Sequence, residues 1–126
     1  MIVVDTSALM AVLLGEPGSD RIRSVLESEV VAISAGTLAE ALVVAQGRNL
    51  GAEMSDLVEA LGLEVAPLTA SAARKVAEAY GRWGKGFDRA GLNFGDCFAY
   101  AAAQELGCPL LYVGADFDKT DAGSAV

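Results

Sequence analysis

The sequence predicts an α/β domain built on a mostly parallel central sheet. Two observations predict it. Short apolar runs rich in β-branched residues alternate with helix-period segments along the whole chain, and no repeat, linker or low-complexity block interrupts them. A chain of 126 residues suits one domain with one core, residues 1–126.

Residues 1–4 form the first strand, which stops at Asp5; Thr6 or Ser7 then caps an apolar helix reaching about Leu14. Gly15 and the Glu16-Pro17-Gly18 turn break that helix, and Ile22, Val25 and Leu26 mark a second, amphipathic one. Residues 30–33 read as a buried strand. Residues 34–37 open a helix that carries Leu38, Leu42 and Ala45 on one side and Glu40 in its first turns. Met54, Leu57, Val58 and Leu61 follow the i, i+3, i+4, i+7 pattern closely. Residues 63–68 form a strand that Pro67 confines to an edge, and Ala72, Val76, Ala77 and Tyr80 mark a helix that frays at Gly81. Residues 81–95 read as a flexible loop, with Arg82, Lys85 and Arg89 interleaved among Trp83, Phe87 and Phe94. Asp96 starts an alanine-rich helix ending near Gly107. Pro109 sets up a last strand over 110–113, and Asp116 follows it by three residues.

Composition narrows the chemistry. Hydrophobic residues make up 53% of the chain and the mean hydropathy is +0.41, more apolar material than a small monomer buries, so contact surfaces are expected. No apolar run approaches a membrane span, and no basic residue precedes Arg21 to suggest a signal peptide, which points to the cytoplasm. Cys97 and Cys108 lack CxxC spacing and read as reduced core thiols. The absence of histidine excludes Ser-His-Asp and Cys-His catalysis, the usual zinc sites and a histidine general base. A net charge of −8 argues against nucleic-acid binding unless part of the acidity is a metal cage, where two divalent ions would halve it.

In parallel α/β sheets, loops and helix N-termini converge beyond the carboxyl ends of the strands. Asp5 and Asp116 lie at that edge, Asp96 opens a helix, and Glu40 sits early in another. Four carboxylates gathered there repel one another unless a cation binds, and hard oxygen ligands suit Mg²⁺ or Mn²⁺. Such ions activate water and stabilise the leaving oxygen in phosphodiester cleavage without histidine. Each acid also has a local explanation. Asp5 can cap the first helix, Thr37-Leu38-Ala39-Glu40 fits a capping box, Asp96 fits an N-cap, and Asp116 can close an Asx-turn before Asp118. What favours a site is that the topology brings all four together. Asp118 and Asp121 sit in a polar turn, with Asp121 the better candidate to support the cluster. Thr6, Ser7 and Asn93 are caps and turn-formers that can also orient a carboxylate. Arg82, Lys85 and Arg89, beside aromatics, can meet RNA backbone and stacked bases.

Four stretches, in order, resemble the VapC toxins of the PIN-domain family: Val3-Val4-Asp5-Thr6-Ser7-Ala8-Leu9, the Glu40 helix, Leu92-Asn93-Phe94-Gly95-Asp96-Cys97-Phe98-Ala99-Tyr100, and Leu111-Tyr112-Val113-Gly114-Ala115-Asp116-Phe117 with Thr120-Asp121. The resemblance implies a PIN-like α/β/α sandwich, with Asp5, Glu40, Asp96 and Asp116 as the acidic quartet for Mg²⁺ or Mn²⁺. It implies cleavage of RNA, a homodimer, and a cognate VapB-type antitoxin that neutralises the toxin. Ala115 departs from the polar residue frequent in relatives. The expected function is a metal-dependent endoribonuclease. Two alternatives are a phospho-receiver-like Mg²⁺-binding domain, which would want an acidic pair after the first strand where Thr6 and Ser7 stand, and a non-catalytic binding module.

Overall fold

A computed structural model describes residues 1–126. Its four strands are β1 (Ile2–Val4), β2 (Val31–Ser34), β3 (Glu64–Ala66) and β4 (Leu110–Leu111). They form one sheet in the order β3-β2-β1-β4, and every pairing is parallel. Six helices accompany them: α1 (Thr6–Leu14), α2 (Ser19–Ser28), α3 (Ala35–Gly47), α4 (Gly51–Leu61), α5 (Ala70–Trp83) and α6 (Phe94–Leu106).

Side chains alternate across a pleated strand, and the sequence of β1 exploits this. Ile2 and Val4 join Leu9, Ile22, Leu26, Ile33, Ala41, Ala45 and Met54 in a core between the sheet and α1 to α4. Val3 points the other way, into a second core with Val76, Ala79, Leu92, Leu110, Phe117 and the alanine-rich face of α6. The result is the expected α/β/α sandwich. With both faces covered, the inner strands are apolar at nearly every position and not alternating, which is why runs of three or four residues sufficed to reveal them.

Several expectations need correction. Residue 112 leaves the sheet, so β4 ends at Leu111: the Val113 N–H turns to the Ser7 hydroxyl (3.1 Å) and the Tyr112 ring packs on Phe117. Helix α5 does not fray at Gly81 but runs to Trp83. The segment after it is closed at its base, because Leu92 N–H donates to Trp83 O and Lys85 N–H to Leu92 O. Cys97 is buried as expected, whereas Cys108 is only half-buried. The strand expected over 63–68 is confined to β3, Glu64–Ala66, which lies at an edge as expected, and Pro67 follows its end.

Candidate active site

Each acidic residue reaches the carboxyl edge of the sheet by a local route. Asp5 ends β1, the central strand next to β4, and its N–H donates to Leu111 O at 3.0 Å. It is the N-cap of α1, accepting at Oδ2 from the Ser7 N–H (3.1 Å) and the Ser7 hydroxyl (2.6 Å). The capping role is therefore real, but it uses one oxygen only. Asp5 is 4% exposed, and its Oδ1 is buried with no hydrogen-bond partner. A buried carboxylate oxygen left without a donor is costly and marks a place where a ligand is missing from the protein's own donor set.

Glu40 stands in the second turn of α3, which begins three residues earlier than a Thr37 cap would allow. Ser34 at the end of β2 is the N-cap, accepting from the Gly36 N–H. Thr37 is consequently a helix-interior residue, fully buried, and the capping box expected over 37–40 does not form. The Thr6 hydroxyl donates to Glu40 Oε1 at 2.6 Å, tying α3 to α1. The other oxygen, Oε2, lies over Gly95, where a Cβ would stand 1.7 Å from it.

Asp96 is not the cap of α6. Asn93 is, and the two form a reciprocal box: Asn93 Oδ1 accepts from the Asp96 N–H (2.8 Å) while Asp96 Oδ2 accepts from the Asn93 N–H (3.0 Å). Asp96 is buried, 8% exposed. Its carboxyl is pushed up to about 6, first by burial and then by repulsion from Asp5, Asp116 and Glu40, against the lowering effect of the Asn93 hydrogen bond. Burial likewise raises Asp5, with Glu40 adding to it and the Ser7 bonds opposing it. Asp5, Glu40 and Asp116 thus each oppose the ionisation of Asp96, and Glu40 that of Asp5. As they stand, no three of these carboxylates are grouped closely enough to hold one ion.

Asp116 lies on the exposed loop after β4 and forms no Asx-turn: the Asp118 N–H goes to Ala115 O. Asp118 accepts from the Tyr112 hydroxyl at 2.8 Å, so it is not simply solvated. Thr6, Ser7 and Asn93 hold Glu40, Asp5 and Asp96 in turn. Asp121 does not touch the quartet. It accepts from the Tyr100 hydroxyl and pairs with Arg82 at 3.5 Å. Arg82 also stacks over Trp83 at 4.6 Å, which leaves Lys85 and Arg89 as the exposed cations of this loop outside any ion pair. Gly36 and Gly95 were not singled out from the sequence. Gly36 lets Phe98 close on α3, where a Cβ would meet the ring at 2.4 Å. Gly95 falls in the first turn of α6 because the helix begins at Phe94, two residues before the expected start at Asp96. An apolar groove of about 490 Å³, walled by Ala39, Val43, Leu68, Phe94 and Phe98, runs up to Glu40.

The PIN-domain family description matches residues 2–123. The ribonuclease VapC30 of Mycobacterium tuberculosis is 38% identical over an alignment of 123 residues that covers 94% of this chain and 94% of that one. The chain belongs to the VapC branch of the PIN-domain family. Among solved structures, the VapC20 toxin of Mycobacterium tuberculosis, described as cleaving the sarcin–ricin loop, superposes with a TM-score of 0.79 at 20% identity, covering 97% of this chain and 96% of that one. A toxin–antitoxin complex from Klebsiella pneumoniae gives 0.70 at 18% identity, covering 96% and 93%. These two show the shared fold. Membership of the VapC branch decides against the phospho-receiver-like reading. No helix is long and apolar enough to cross a membrane.

Proposed function

We propose that this VapC-family domain is an endoribonuclease, the toxin of a VapBC-type pair, acting through a divalent ion held by Asp5, Glu40, Asp96 and Asp116. The observation that carries the reading is the buried, unpartnered Oδ1 of Asp5; the repulsion that Asp5, Asp116 and Glu40 exert on Asp96 supports it. An all-oxygen, anionic donor set without histidine or thiolate fits Mg²⁺ or Mn²⁺. When bound, such an ion supplies Lewis-acid activation of water and of the scissile phosphate. Asp5 would offer Oδ1 to the ion while Ser7 fixes Oδ2. Glu40, steadied at Oε1 by Thr6 and backed by Gly95, would orient the attacking water or take its proton at Oε2. Lys85 and Arg89 would draw RNA phosphates towards an otherwise acidic surface, with Arg82 braced beside them.

The same reading takes residues 1–126 as one domain, working in the cytoplasm with an RNA substrate and a cognate VapB-type antitoxin. The Klebsiella structure of the same fold is itself of a toxin–antitoxin complex. A homodimer agrees with the exposed Val43, Val44 and Leu106. The test is cleavage of RNA by purified protein with and without Mg²⁺. Asp5→Asn keeps a capping acceptor but removes the charge, and it is expected to abolish metal-dependent cleavage. Cleavage undiminished by that variant, or by removal of divalent ions, overturns the assignment.

A further inference from the structure

Between the end of β4 and residue 123 the chain has no regular secondary structure, yet this stretch, which carries Asp116, starts at the hydroxyl of Ser7 that also holds Asp5 and buries Phe117 against α6, the helix of Asp96. Three features hold it. At its entrance the Val113 N–H donates to the Ser7 hydroxyl at 3.1 Å. Two successive turns follow, Asp118 N–H to Ala115 O (3.1 Å) and Thr120 N–H to Phe117 O (3.0 Å), so residues 115–120 carry little slack. At its exit Asp121 accepts from the Tyr100 hydroxyl and pairs with Arg82. The Tyr100 oxygen in turn accepts from Trp83 Nε1 at 2.9 Å. Tyr100 follows Asp96 by four residues on α6, which sets both side chains on one face of the same rigid helix.

We propose that Tyr100 is a positioning residue whose hydroxyl, by fixing Asp121, sets where the Asp116 carboxylate stands relative to Asp96. On this view α6 spaces two of the four acids, one directly and one through the loop. Buried Phe117 gives the loop one fixed point beside Asp116; the direction of the segment needs a second, which Asp121 supplies. Burial and the Asp121 carboxylate both keep the proton on Tyr100, so its hydroxyl remains the donor.

The proposal rests on the metal-nuclease reading, and its test separates the two. Mn²⁺ binding to the purified chain is measured by isothermal titration for the wild type and for Asp116→Asn, Tyr100→Phe, Asp121→Ala and Asp121→Asn, with urea unfolding in EDTA alongside. Tyr100→Phe and Asp121→Ala are expected to weaken Mn²⁺ binding about 10-fold, the usual effect of losing a bond that orients a ligand. Asp121→Asn still accepts from Tyr100 and is expected to recover most of the affinity. At saturating RNA, kcat should fall in the two weakened variants while KM for RNA stays. Asp121 is exposed, so its variants keep the test alive if Tyr100→Phe costs the fold. Mn²⁺ affinity within about twofold of wild type in Asp121→Ala, whatever its stability, makes the bond structural only and overturns the proposal. Absence of Mn²⁺ binding in the wild type, or unchanged binding in Asp116→Asn, removes the metal reading and this inference with it.

Discussion

Replacing Asp96 by Asn should stabilise the protein when divalent ions are absent. Raising the Asp96 carboxyl from its ordinary 3.8 to about 6 corresponds to a cost of about 3 kcal/mol for the charged form in the folded state, at about 1.4 kcal/mol for each tenfold change in proton affinity. Because the folded value lies above the unfolded one, the favourable contribution of Asp96 is complete below about pH 4 and is lost as pH rises through about 6. An amide at this position keeps an acceptor for the Asn93 N–H but makes a weaker bond to it, returning about 1 kcal/mol. The net expectation for Asp96→Asn is a gain of about 1–3 kcal/mol near pH 7.5 that vanishes near pH 4. Urea unfolding of both proteins in EDTA at several pH values measures it. Millimolar Mg²⁺ should then reverse the order, since only the wild type keeps the full ligand set and a ligand that binds the native state stabilises it. A variant less stable than wild type in EDTA at neutral pH, or a difference independent of pH, would refute the reasoning.

Gly95→Ala adds a methyl 1.7 Å from Glu40 Oε2. Because alanine favours helix by about 1 kcal/mol and Glu40 can swing away, cleavage should fall steeply while the melting temperature changes little; equal loss of both would point to general damage. Ser7→Ala strips Asp5 Oδ2 of a hydroxyl donor and leaves the Val113 N–H unpaired, so urea unfolding should show a loss of about 1–3 kcal/mol. Lys85→Glu and Arg89→Glu should each raise KM for RNA and flatten the salt dependence of binding by about one ion per residue, with kcat little changed.

The sheet was legible because each inner strand is a short apolar run ended by a polar residue that the topology sends to one edge. Asp5 was legible for the same reason, being the first acid after a buried strand. Glu40 and Asp96 were legible as positions but not as geometries. Thr37-Leu38-Ala39-Glu40 has the spacing of a capping box, yet Ser34 lies nearer the strand end and captures the helix start first. Asn93 precedes Asp96 by the three residues a reciprocal box needs, but cap and partner are both acceptor residues, so spacing alone does not assign the roles. The Thr6 bond to Glu40 and the Tyr100 bond to Asp121 span 34 and 21 residues and leave no periodic trace. On the proposed reading, part of the acidity that argued against RNA belongs to the metal-binding set, in which burial and the repulsion of Asp5, Asp116 and Glu40 hold Asp96 well above its ordinary range.

The pairing of β4 with β1, Val3 beside Leu110 and Val4 beside Leu111, has a consequence for synthesis. A chain emerging from the ribosome delivers Asp5 almost at once, but the strand and loop that carry Asp116 leave the exit tunnel more than a hundred residues later. Until then β1 lacks one neighbour and the pocket lacks one wall. On the proposed metal-nuclease reading, a growing chain is therefore expected to leave the surrounding RNA intact until its last strand docks, which ribosome-bound chains stalled before and after β4 would test.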